Sequence, residues 1–241
     1  MILASPKKKR VVFFVPFHAI LAVCCFHVTA QASEATKQSP TLTEWFALGS
    51  GCRAKHDAPG DVQVQFESST FGSTFQVSLK FSLPKYSLDG ANPINKEHPT
   101  FARECALRSA IKVPAGQKIR ALRTNIPFVF SKDSGAKAQL AAQLHLGNSA
   151  VASKVSEIPL QAKVEHQKEN IALNASNQLL AATSSEPFPP QECGAAKIVG
   201  LDLSITNWRD SFAQKISVNL EKPKTVALDI EFESCQMPLA K

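Results

Sequence analysis

Alternation of apolar and polar side chains, repeated in one short segment after another, is the feature that most limits what this chain can become. In Glu104–Gly116, ECALRSAIKVPAG, residues Cys105, Leu107, Ser109, Ile111 and Val113 point one way, while Ala106, Arg108, Ala110 and Lys112 point the other. A period of two belongs to a half-buried β-strand, so the cysteine is expected to face the core. Pro114-Ala115-Gly116 should end the strand, because proline has no N–H to give a ladder and glycine accepts positive φ in the reversal.

The same period recurs along the chain. Val62, Val64 and Phe66 alternate, as do Phe75, Val77, Leu79, Phe81 and Leu83, and the two runs read as a hairpin joined through Ser68 to Ser73. Ile119 to Phe130 is apolar with Pro127 inside it, which predicts an edge strand or one broken by a bulge. Ala138 to Leu146, Ile158 to Val164, Val199 to Ile205, Ile216 to Leu220 and Val226 to Phe232 continue the pattern. None of these runs has the 3.6 period of a helix. About ten short strands separated by turn residues predict an all-β fold, an antiparallel sandwich. Tyr86 to Thr100, with two prolines and a glycine, reads as a surface loop, and the polar, proline-rich stretch 174–192 as the longest connection.

The N-terminus obeys other rules. Lys7-Lys8-Lys9-Arg10 precedes sixteen almost wholly apolar residues, 11–26, and small side chains follow at Ala30 and Ala32. That order defines a secretory signal peptide and outweighs the reading of PKKKR as a nuclear signal. A lipoprotein anchor at Cys24 is disfavoured because Val23 is bulky for the position before the cysteine. The expected organisation is therefore a leader over 1–30, a flexible lead-in over 31–47 and one β-sandwich domain over 48–241. Removing the four basic leader residues lowers the formal charge from +7 to +3, too little to argue for nucleic acid. Beyond the leader no apolar run is long enough to span a membrane as a helix, so a secreted location, extracellular or periplasmic, is expected.

With Cys24 and Cys25 in the leader, four cysteines remain: Cys52, Cys105, Cys193 and Cys235. An even number in an exported chain implies disulfides, although four cysteines allow three pairings. Pairing neighbours, Cys52 with Cys105 and Cys193 with Cys235, is predicted, because Cys105 faces inward and each pair bounds a block of strands able to close on itself. Each closed loop contributes about 4 kcal/mol in the chain-entropy model. No CxxC pair is present, so a sulfur-ligated metal is not expected.

Gly51-Cys52, Glu104-Cys105 leading a strand that ends in Pro114-Ala115-Gly116, Cys193-Gly194, and Glu233-Ser234-Cys235 together resemble the domain of unknown function 4360 family, small secreted proteins of bacteria and fungi. The resemblance spans about residues 48–236 and departs from the family at two places. Glu104 stands where the family has a polar residue such as Asn before the second cysteine, and Thr124-Asn125-Ile126-Pro127 replaces an aromatic-Arg-Gly signature. The resemblance implies a secreted, disulfide-bonded β protein, and no catalytic residues come with it.

Motifs for catalysis are missing: there is no GxSxG, HExxH, phosphate-binding loop or dinucleotide fingerprint. His56-Asp57 reads as a solvated pair, and His145, on the outward face of its strand, as a surface histidine. Asp57, Asp61, Asp89 and Glu97 carry oxygen ligands suited to calcium but lack EF-hand spacing, so no cofactor is expected. Trp45, beside Phe46 and Leu48, reads as a core plug. Trp208, in the polar stretch Thr206-Asn207-Trp208-Arg209-Asp210, reads instead as a platform in a turn, rimmed by Asn207 and Arg209 and joined by Tyr86. Asn174-Ala175-Ser176 is a glycosylation sequon. These features favour a non-catalytic module that binds a polysaccharide, envelope component or other cell-surface ligand. The alternatives are a hydrolase with carboxylates drawn from the 53–61 and 86–98 loops, and a purely structural envelope protein.

Overall fold

The structure is a computed structural model that describes residues 38–55, 60, 62–71, 74–89, 100–158, 163–177, 188–209 and 214–235. The leader, His56, Asp57, Asp61, Glu97 and the 90–99 part of the expected loop lie outside the described residues. So do residues 178–187 of the long connection.

Thirteen strands and no helix form among the described residues. In the first half they are β1 (Thr41–Leu48), β2 (Ala54–Lys55), β3 (Gln63–Phe71), β4 (Thr74–Ser82), β5 (Ser87–Asp89), β6 (Thr100–Lys112) and β7 (Gln117–Lys132). In the second half they are β8 (Ala136–Leu146), β9 (Ser149–Ile158), β10 (Val164–Ser176), β11 (Lys197–Arg209), β12 (Ile216–Leu220) and β13 (Thr225–Ser234). All pairings are antiparallel, in a six-stranded sheet ordered β2-β1-β6-β11-β8-β9 and a seven-stranded sheet ordered β3-β4-β13-β7-β12-β5, with β10 on the other side of β7.

The parity read from sequence holds. Cys105, Leu107, Ser109 and Ile111 of β6 are buried, as are Val199, Leu201, Leu203 and Ile205 of β11, while the opposite sheet buries Leu79, Phe81, Ile126, Phe128, Leu228 and Ile230. Each large apolar side chain so buried contributes about 1.5–3 kcal/mol, and together they hold the sandwich closed. The hairpin β3–β4 is present with a tighter reversal than expected, Phe71 pairing with Thr74. Trp45 is a core residue, 5% exposed, but it sits in β1. The lead-in expected over 31–47 therefore stops short of Thr41, where β1 begins pairing with β6.

Two further expectations are corrected. β7 is not an edge strand: β10 pairs along one side of it, and β13 and β12 pair along the other. The β13 ladder reaches Asn125 and the β12 ladder begins at Phe128, so Pro127 stands at the junction, where its carbonyl accepts from the Glu221 N–H at 2.8 Å. The missing proline N–H falls where no ladder partner is needed. No register shift falls at Pro127; the bulge in β7 lies instead at Arg120, which the register skips, and its neighbours Ala121 and Leu122 are both buried. After β8, β9 ends at Ile158 and β10 begins at Val164, and residues 159–162 of the expected run between them lie outside the described residues.

Both disulfides are those predicted, Cys52–Cys105 with Cα atoms 5.4 Å apart and Cys193–Cys235 with Cα atoms 6.2 Å apart. Gly116 takes φ +72° in the β6–β7 turn, as expected. That turn is also an anchor, because the Cys235 N–H donates to the Gly116 carbonyl and the Gly194 N–H to the Gln117 carbonyl, each at 2.8 Å.

Candidate functional site

The outward side chains of the six-stranded sheet form a groove of about 410 Å³ that crosses the strands. Cross-strand register builds its floor. One row reads Leu48, Ala106, Asp202, Gln143, Ser153 from β1 to β9, and the next reads Glu104, Ser204, Ala141, Val155 from β6 to β9. Small residues in the middle make the concavity, and Leu48 and Val155, 54% and 56% exposed, stand at its two ends. From β1 to β9 there are four inter-strand steps, so the groove is about 19 Å long. Cys105, Ala142, Leu203 and Lys154 also border it. The first three are buried inward, and Lys154, paired with Ala142, shares their parity, so its side chain leaves the strand on the opposite side.

A ridge of charged groups runs along one side of this floor. Phe46, Arg108, Gly200 and His145 form the adjoining row. Gly200 is required there: a Cβ would lie 2.6 Å from Arg108 Cδ and 2.8 Å from the Leu107 carbonyl oxygen, so only glycine lets the arginine stem cross β11. The guanidinium then donates to both oxygens of Asp202, from Nη1 at 2.5 Å and from Nη2 at 3.1 Å, with Nη1 also 2.9 Å from the Leu107 carbonyl. From the other side, His145 Nε2 lies 2.8 Å from Asp202 Oδ2. Desolvation pushes the Asp202 carboxyl upward, but His145 and Arg108 outweigh it and bring the carboxyl from 3.8 down to about 2.

The β1 end of the groove is shaped by Gly49-Ser50-Gly51. The Gly51 N–H donates to the Glu104 carbonyl at 2.9 Å, and the Glu104 N–H donates to Ser50 Oγ at 3.1 Å. Gly49 has φ +139°, and a Cβ on it would lie 2.1 Å from the Glu104 carbonyl oxygen. These contacts press the turn onto β6 beside the Cys52–Cys105 bond. They use only the backbone of Glu104. Its carboxylate has no hydrogen bond or ion pair with any described residue.

The residues singled out from sequence are not gathered here. Trp208 lies within β11, not in a turn, and alternation sends Asn207 and Arg209 to the interior, where they are 0% and 5% exposed. They cannot rim Trp208, which faces outward and half-buried with Lys137 Nζ 4.9 Å from its ring centroid. Arg209 instead stacks on Phe101 at 5.0 Å and donates to the Gln214 carbonyl at 3.0 Å. Tyr86 is wholly buried against Gly51, its hydroxyl 3.4 Å from the Arg103 carbonyl, and burial, with Glu104 nearby, raises its phenol far above the ordinary range. His145 has the outward parity expected, but it is tied to Asp202 and only 13% of its side chain is exposed. The loops proposed for a hydrolytic or calcium site are mostly outside the described residues, and the described residues contain no cluster of three or more His, Cys, Asp or Glu suited to a metal.

Arg108, Asp202 and Gln143 were legible as outward residues of strands. Nothing in their spacing showed that β6, β11 and β8 are neighbours.

Fold and groove together define a disulfide-bonded, two-sheet β-sandwich with an open cleft across one sheet face. No family model and no curated protein matches the chain. Among solved structures, it is similar to TmCBM61 in complex with β-1,4-galactotriose, at 11% identity and a TM-score of 0.22, over 79% of this chain and 88% of that one. It is similar also to the family 11 carbohydrate-binding module of a Clostridium thermocellum cellulosomal cellulase, at 7% identity and a TM-score of 0.18, over 83% and 93%. A structure of infectious bursal disease virus, Gx strain, matches at 11% identity and a TM-score of 0.25, over 83% and 38%. Likenesses at these scores establish neither a shared ligand nor a shared site.

Proposed function

We propose that this protein binds an extended polysaccharide chain in the groove across the six-stranded sheet, without cleaving it. The observation that carries the reading is the spacing of polar groups on the groove floor. Glu104, Asp202, Ser204, Gln143 and Ser153 come from four neighbouring strands at steps of about 4.8 Å, between apolar ends at Leu48 and Val155. Such a row suits a chain with hydroxyls repeated along its length. An extended peptide fits less well, because strand addition needs a free sheet edge and the Ala and Ser floor offers no pocket for side-chain anchors. Asp202, held ionised between Arg108 and His145, is suited to accept hydrogen bonds and unsuited to donate a proton to a leaving group. The paired cysteines support export to an oxidising compartment. We infer in addition that the chain is a divergent member of the domain of unknown function 4360 family, on the order of its cysteines and the Pro114-Ala115-Gly116 turn.

Affinity electrophoresis and calorimetry against a panel of soluble polysaccharides test the function. Binding in the micromolar to millimolar range is expected, and Gln143→Ala should weaken it about 2- to 10-fold through one lost hydrogen bond. Unchanged retention of Gln143→Ala would move the ligand elsewhere, and release of shortened chains would replace binding by hydrolysis.

A further inference from the structure

We infer that the polysaccharide favoured by this groove carries protonated amino groups, as a partly or wholly deacetylated aminoglycan does. The inference rests on the binding reading above and adds the charge class of the ligand. Among the described residues the groove's outward charges are few. Arg108 spends its guanidinium on both oxygens of Asp202 and on the Leu107 carbonyl, so the two charges cancel, and Arg103, the cation of β6 beside Glu104, has the opposite parity and donates to the Ser50 carbonyl at 2.7 Å. His145 is turned to the same carboxylate from β8. Lys154 borders the groove at β9, but it shares the inward parity of its partner Ala142, so its stem leaves the strand on the side away from the floor. Lys137, further along β8, lies over the Trp208 ring. What remains is Glu104, whose carboxylate no described residue neutralises, next to the exposed side of Asp202. An ammonium on the ligand meets this charge, whereas a uronate or sulfate is repelled by it.

The structural work of Glu104 is done by its backbone, whose N–H is held by Ser50 and whose carbonyl is held by Gly51. Changing its side-chain charge therefore leaves the turn intact. The test measures the full exported protein by calorimetry, at mildly acidic pH, against three soluble probes of matched length: a deacetylated glucosamine oligomer, its N-acetylated counterpart and a galacturonate oligomer. The amine-bearing oligomer is expected to bind about three- to fivefold more tightly than the N-acetylated one, the advantage of a partly exposed ion pair, and to lose that advantage in high salt. Glu104→Gln should lower the affinity for the amine-bearing oligomer by the same factor, while Glu104→Asp should keep the preference. Circular dichroism checks that both variants fold. Equal affinity for the amine-bearing and acetylated oligomers, or preference for galacturonate, overturns this inference and leaves polysaccharide binding standing. Failure of every polysaccharide to bind overturns both.

Discussion

Gly49→Ala tests whether the turn at the β1 end of the groove is as tightly specified as its geometry implies. The native φ of +139° belongs to a region that side chains avoid, and holding alanine there costs about 1–3 kcal/mol. The new Cβ would also stand 2.1 Å from the Glu104 carbonyl oxygen and 2.7 Å from its carbon. Neither can retreat cheaply. That carbonyl accepts the Gly51 N–H, and the next residue is tied to Cys52. Overpacking and the strained or lost hydrogen bond add about 1.5–3 kcal/mol, for a total near 3–5 kcal/mol. In a domain of this size that lowers Tm by on the order of 10 °C. Gly116→Ala is the control: φ is +72°, but nothing lies within 4 Å of the added Cβ, so backbone strain alone, about 1 kcal/mol, is expected. Thermal unfolding followed by circular dichroism, with both disulfides intact, compares the two. A Gly49→Ala protein that melts within about 3 °C of Gly116→Ala would refute the close-approach argument.

Two other outcomes follow from the same side-chain geometry. Because the Asp202 carboxyl is held at about 2 against an ordinary value of 3.8, its ion pairs should stabilise the fold fully above pH 3.8 and lose that contribution as the pH falls toward 2. The Tm difference between the parent and Asp202→Asn should shrink across that window, and a difference that stays constant would mean the pairs contribute nothing to folding. Asn207 is buried with neither amide atom bonded to a described residue, a cost of about 1–3 kcal/mol, so Asn207→Leu should raise Tm by several degrees. A lower Tm in urea-free thermal melts would show that the amide is satisfied in the native protein.

Local order in this chain was legible because strands write their faces into alternate residues. Cys105, Leu107 and Ile111 face inward as the period of two requires, and so do Leu79, Phe81, Leu201 and Leu203. The Pro114-Ala115-Gly116 turn and the pairing of neighbouring cysteines also follow from local chemistry, from a missing N–H, a positive φ and blocks of strands that close on themselves. Local composition misleads where a polar run lies inside a strand. Thr206-Asn207-Trp208-Arg209 continues β11 because β6 and β8 offer ladder partners on both sides, through Thr100 and Lys137 opposite Trp208, and such pairing overrides local composition. Pro127 misled for a similar reason, since the gap between β13 and β12 that accepts it exists only in the assembled sheet. The groove belongs wholly to tertiary structure. Ala106, Asp202 and Gln143 are far apart in the chain, and each strand records only which of its residues face outward. Which outward residues become neighbours is set by strand order and register, and these are decided when two sheets bury their apolar faces against each other.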